Sequence, residues 1–189
     1  MGLFDLFKKK TTIVIDPNKT EYENWLEFIA IGGTSKEWER LKRVYNMKFA
    51  EDDSAKFQRY QKEVKKISSH YYATMEQIET EWSVLYNLKE YTGEKATAYE
   101  KACKDNIELY KKMHEIDLKY GEKTATNIPA YKRLAMLYEK QGLYEKAVVV
   151  CKEAISFGMD ERSRMIRMIK KVGRTATPEE LAMLESIIN

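Results

Sequence analysis

A chain of 189 residues, 43% apolar and 33% charged, has enough material for one domain or a short helical array, and its composition excludes an intrinsically disordered chain. Thirteen Tyr and nine Met against eight Gly and three Pro weigh against a turn-rich β architecture. The 33 basic and 30 acidic residues are mixed along the chain, so the net charge of +3 is too small and too dispersed for a dedicated nucleic-acid binder.

Residues 1–20 read as an irregular N-terminal arm. Leu3, Phe4 and Phe7 share one face of a turn or two of helix ahead of Lys8, Lys9 and Lys10, and a short β-like run from Thr11 to Ile15 closes on Asp16-Pro17-Asn18. Ten such residues bury too little apolar surface for a stable membrane anchor. No run approaches the ~20 apolar residues that cross a bilayer. The segment MGLFDLFKKK also lacks the order of a signal peptide and, with Leu6 where Ser or Thr is needed, a myristoylation signal. The expected location is the cytoplasm, where Cys103 and Cys151, mid-pattern in separate predicted helices, stay as reduced, packed thiols.

From residue 21 onward the periodicity is helical. Tyr22, Trp25, Phe28 and Ile29 mark a first helix ended by Gly32-Gly33, and Thr34 with Glu37 forms a capping box for a second, with Trp38, Leu41 and Tyr45 inward. Glu51-Asp52-Asp53-Ser54 opens a third. Phe57, Tyr60, Val64, Ile67 and Tyr71, then Met75, Ile78, Trp82 and Leu85, form a stripe spaced by threes and fours. One helix from about Ser54 to Glu90, or two broken at Ser68-Ser69-His70, accounts for it; the stripe packs either on its own chain or on a second copy. Thr92-Gly93 ends this element, Thr97 with Glu100 reads as another capping box, and Ala102, Leu109, Met113, Ile116 and Tyr120 line the next helix. The polar link Gly121 to Asn127 separates a helical region 21–120 from 128–189, and is short enough for both to stack as one body.

Segment 128–159, IPAYKRLAMLYEKQGLYEKAVVVCKEAISFGM, presents Tyr131, Leu134, Ala135 and Tyr138 on one helix and, after Gly142 and Tyr144, Ala147, Cys151 and Ala154 on the next. Small residues at facing positions let two antiparallel helices approach closely while the large ones fill the grooves beside the crossing. This pattern resembles the tetratricopeptide repeat, with Cys151 where an aromatic is usual and Met159 where proline is usual. A degenerate copy is visible upstream: Tyr99-Glu100-Lys101-Ala102 repeats Tyr144-Glu145-Lys146-Ala147, with Trp82 and Leu85 in place of Tyr131 and Leu134. Asp160 to Arg174 forms the following helix, with Met165, Ile166, Ile169 and Val172 inward, and Thr177-Pro178-Glu179-Glu180 starts a last helix closed by Leu181, Leu184 and Ile188. The expected fold is therefore all-α: antiparallel helix hairpins stacked as a short tetratricopeptide-like solenoid or bundle of about seven to eight helices.

The residues give little sign of catalysis. His70 and His114 lack Cys or carboxylate partners at metal-ligand spacing, and the glycines form no phosphate loop, so no metal, cofactor or catalytic residue is expected. An enzyme would need a pocket joining His114 to several carboxylates. In the resemblance, the outward face of the first repeat helix lines a peptide groove; here that face carries Lys132, Arg133, Met136, Glu139 and Lys140. Lys132 and Arg133 fall where some members hold a terminal carboxylate, but Met136 replaces the required Asn and Pro129 another basic residue. The expected ligand is thus a peptide or helix with an acidic and apolar face. The alternative binding surface is a basic stripe in segment 160–174, Arg164, Arg167, Lys171 and Arg174, which would meet phosphates or a nucleic acid. It lacks interleaved aromatic stacking residues.

Overall fold

The computed structural model describes residues 15–185, which hold eight helices. They are α1 (Glu21–Ala30), α2 (Ser35–Tyr45), α3 (Asp53–Leu88), α4 (Glu94–Tyr120), α5 (Pro129–Lys140), α6 (Tyr144–Ser156), α7 (Arg162–Val172) and α8 (Pro178–Glu185). Among the described residues the only β feature is an isolated bridge between Thr20 and Ala50. The N-terminal turns around Leu3 to Phe7, the run from Thr11 to Val14, and Ile188 lie outside the described residues. No helix among those described is long and apolar enough to cross a membrane.

The chain divides into two compact units between Arg59 and Tyr60, inside α3; the link 121–127 is internal to the second. In the first unit, reciprocal threonine–glutamate caps start both short helices, Thr20 with Glu23 and Thr34 with Glu37. Phe28, Trp38 and Phe49 form its core, with ring centroids 5.4 and 5.7 Å apart. Gly33 is required there, because a Cβ would stand 2.3 Å from the Phe28 ring. Buried Asn24 holds the preceding turn, donating to the carbonyls of Asp16, Lys19 and Thr20 and accepting from the Asp16 amide. Tyr45, expected inward, is exposed, as is Tyr22: two short helices can bury only one narrow stripe each.

In the second unit α3 and α4 form an antiparallel hairpin. The helix α3 runs unbroken through Ser68-Ser69-His70, because Ser69 returns its hydroxyl to the Lys65 carbonyl and Thr74 to that of His70, keeping these polar groups satisfied within the helix. Val64, Tyr71, Ile78, Trp82 and Leu85 are buried in a core shared with α4 of the same chain, whereas Phe57 is exposed. The buried seam of α4 is Ala96, Tyr99, Cys103, Asn106, Ile107, Tyr110, Met113, Asp117 and Tyr120. Ala102, Leu109 and Ile116, expected on that seam, are half-buried at its edge. The seam is polar at two positions, so apolar periodicity misplaces it: Asn106 donates to the Tyr71 carbonyl at 3.0 Å and to Thr74 Oγ1 at 2.7 Å, and Asp117 accepts from the Tyr60 hydroxyl at 3.0 Å. Thr97 and Glu100 are not a cap; Gly93, at φ 86°, precedes the helix, and Thr97 bonds back to the Gly93 carbonyl from inside it.

The remaining helices pack each on its neighbour in order, α4 on α5, α5 on α6 and α6 on α7, with α8 returning to α6. Ala135, Ala147, Cys151 and Ala154 are wholly buried where α5 and α6 approach, as the spacing requires. Gly142 turns between them at φ 74°. On α7 the buried residues are Met165, Met168 and Ile169, and Ile166 is exposed, because the helix orients its basic residues toward α5 and rotates Ile166 away. Thr177 and Glu180 cap α8 reciprocally as expected. The prediction for this packing is that Ala154→Leu lowers the unfolding free energy by about 1–3 kcal/mol, whereas Val149→Leu, exposed on the same helix, changes it by less than about 0.5 kcal/mol. Urea titration followed by circular dichroism measures both.

Candidate interaction groove along α5

The outward side of α5 is set by what its inward side buries. With Tyr131, Leu134, Ala135, Leu137 and Tyr138 in the core, Lys132 and Lys140 are left exposed and Arg133, Met136 and Glu139 half-buried. These five residues, brought to one side of α5 by helical spacing, then divide by their partners.

Arg133 turns toward α3. Its guanidinium meets the Glu79 carboxylate through two nitrogens, at 2.8 and 2.5 Å, and lies over the Trp82 ring, 5.6 Å from the centroid. The hydrogen bond from Arg133 holds the Glu79 carboxyl below its ordinary range. Glu139 turns the other way, toward α7, and accepts from Arg164 at 3.0 Å, Arg167 at 2.9 Å and Lys171 at 3.1 Å. Partial burial pushes this carboxyl up, but the hydrogen bonds from Arg167 and Lys171 outweigh that and bring it down to about 2.

The two surfaces expected from sequence therefore meet at one carboxylate. Three members of the basic stripe, Arg164, Arg167 and Lys171, face Glu139, and Arg164 also bonds Glu161 at 2.7 Å. The fourth, Arg174, is held by Glu145 and by Glu180, the capping residue of α8. Its charge joins the end of α7 to α6 and α8. Sequence spacing showed the stripe, but not the single carboxylate, Glu139, waiting 25 to 32 residues upstream on α5.

What remains on α5 is a single row: exposed Lys132 and Lys140, with half-buried Met136 between them, whose sulfur accepts from Arg133 Nη1 at 3.6 Å. Lys132 makes no direct ion pair among the described residues, though its charge adds to the field around Glu79. The Lys140 ammonium lies 5.6 Å from the centroids of both Tyr86 and Tyr91, and Gln141 beyond it donates to the Tyr91 carbonyl. These tyrosines were not among the residues expected at the groove; their contact with Lys140 depends on α3 lying beside α5. A separate cleft of about 260 Å³ opens between α4 and α6 over Leu134 and Tyr138. Its lysines are engaged, Lys104 with Glu100, Lys111 with Glu153, and Lys146 over the Tyr138 ring.

Around His114 the surroundings are aromatic, with Tyr110 and Phe157 centroids 5.8 and 5.1 Å away. No group of three or more His, Cys, Asp or Glu side chains placed to hold a metal ion occurs among the described residues. Burial pushes the Cys103 and Cys151 thiols up to about 12, removing their nucleophilic thiolate form near neutrality. Comparisons of the chain with protein-family models, with curated proteins and with solved structures each find no match.

Two outcomes follow. A folded-state carboxyl lowered from 4.5 to about 2 contributes stability that is complete above the unfolded value and is lost as pH falls from about 4.5 through 2. Glu139→Gln should therefore cost about 1–2 kcal/mol at pH 7, below the full linkage value because Arg167 and Lys171 are half-exposed, and the deficit should shrink across that acid window in thermal melts. A thiol-reactive chromogen at pH 8 should leave both cysteines unlabelled until denaturant is added.

Proposed function

We propose that this chain is a cytoplasmic, non-catalytic interaction module, a short tetratricopeptide-like repeat array that holds a segment of another protein along α5. The observation that carries the reading is the row Lys132, Met136 and Lys140. Its lysines stay exposed on a face whose other charged residues, Arg133 and Glu139, are engaged by α3 and α7. Helices α4 to α7, each packed on the next, with small residues at the α5–α6 approach, support the repeat reading. A row borne on a packed helix and flanked by ion-paired shoulders suits recognition of a partner segment, because its backbone is positioned before the ligand arrives. The nucleic-acid alternative through segment 160–174 gains no support, since Arg164, Arg167, Lys171 and Arg174 all have carboxylate partners within the chain.

Selection of a displayed random-peptide library on the full chain tests this. Enriched peptides should bind the wild type and lose most of their binding to Lys132→Glu/Met136→Glu, with the double variant's circular dichroism unchanged. Peptides that bind both proteins equally would remove the groove from consideration.

A further inference from the structure

Resting on the groove reading, we infer that the α5 row reads an extended, acidic partner segment of the pattern acidic-X-apolar-X-acidic, one ligand side chain for each of Lys132, Met136 and Lys140. Two observations lead there, charge and spacing.

The charge of the whole chain is +3, and the sequence mixes its signs. Folding pairs many of them across helices. On the side that α5 shares with α7 and the neighbouring part of α3, Arg133, Arg164, Arg167 and Lys171 meet three carboxylates, Glu79, Glu139 and Glu161, so these ion pairs hold one more cation than anion. Lys132 and Lys140 add to that excess without a carboxylate bonded to them. Three cations on Glu139 exceed what one carboxylate neutralises, so Arg167 and Lys171 keep a residual positive field beside the row. A partner here must be negative.

Spacing sets its conformation. Residues four apart on α5 are separated by about 6 Å along the axis, placing Lys132 and Lys140 about 12 Å apart with Met136 midway. Alternate residues of an extended chain point the same way and are about 6.7 Å apart, so positions one, three and five span about 13 Å. The mismatch is about 1 Å over the whole row, well within the reach of two lysine side chains. A helical ligand presents an apolar stripe about 100° wide, but at Met136 this surface is one apolar residue wide: the Arg133–Glu79 pair lies to one side of Met136 and the Glu139 cluster to the other. A single row of ligand side chains fits that strip.

The experiment uses the full chain and fluorescence anisotropy with labelled peptides blocked at both ends. The first carries Glu-Ser-Leu-Ser-Glu in a Gly/Ser context; the second has the same composition with its two Glu adjacent; the third spaces Glu, Leu and Glu four residues apart. The first should bind at least fivefold more tightly than the second and third. Lys132→Glu and Lys140→Glu should each weaken it about tenfold, and Lys132→Gln/Lys140→Gln, which removes charge without repulsion, by a similar factor; circular dichroism checks each variant's fold. If the second or third peptide binds as well as the first, with the lysine dependence intact, the extended register is wrong and the groove reading stands. If lysine changes leave binding of every peptide unaffected, the groove reading falls with it. If a single-stranded oligonucleotide of matched charge displaces the peptide at lower concentration and shows the same lysine dependence, the partner class is wrong.

Discussion

The close approach of α5 and α6 is the constraint on which the second unit is built. Alanine at 135, 147 and 154 and cysteine at 151, all without solvent exposure, let two helices sit nearer than Leu or Phe at those points would permit. That proximity fixes the rotation of α5: with Ala135 and Tyr131 inward, Glu139 is directed to the α7 side and Arg133 to the α3 side. A different rotation would leave a carboxylate without cations and an arginine without Glu79. The ion pairs are consequences of the packing and then reinforce it, at contacts partly shielded from water.

The α3–α4 hairpin is held by other means. Its seam is aromatic and partly polar, with Tyr71 against Tyr110 at 6.2 Å and Trp82 against Tyr99 at 5.9 Å. The Tyr99 hydroxyl donates to the Ile78 carbonyl and the Asn106 amide to that of Tyr71. Such bonds specify register, because a slip would leave buried donors unpaired at a cost of about 1–3 kcal/mol each. One long hairpin fixed by polar register and one short pair fixed by small-residue approach thus share a core, and α5 lies where the two meet.

Charge is redistributed by this assembly. Along the sequence basic and acidic residues are mixed, apart from Lys8 to Lys10 and the basic segment 160–174. In the fold, Arg174 draws in Glu145 and Glu180, Arg133 draws in Glu79, and α7 directs three cations at one glutamate. Lys132 and Lys140 are left without a bonded carboxylate, Lys140 lying instead over the Tyr86 and Tyr91 rings. A basic helix that looks from its own spacing like a nucleic-acid surface is in large part an internal clamp.

The sequence by itself determined the features that depend on residues close together in the chain. The caps at Thr34 and Thr177, the turn at Gly142, the buried set Tyr131, Leu134, Ala135, Tyr138, Ala147, Cys151 and Ala154, and the all-helical class follow from local spacing and backbone preference. Tertiary structure alone decided the rest. Apolar periodicity could not place the α4 seam, because Asn106 and Asp117 are buried through bonds to residues 32 to 57 positions away. Nor could it tell that Arg133, Glu139 and the α7 stripe neutralise one another, since a charge's partner is set by which helices come to lie side by side. The remaining row of α5 was present in the sequence as part of a longer set of candidates; packing removed the others from it.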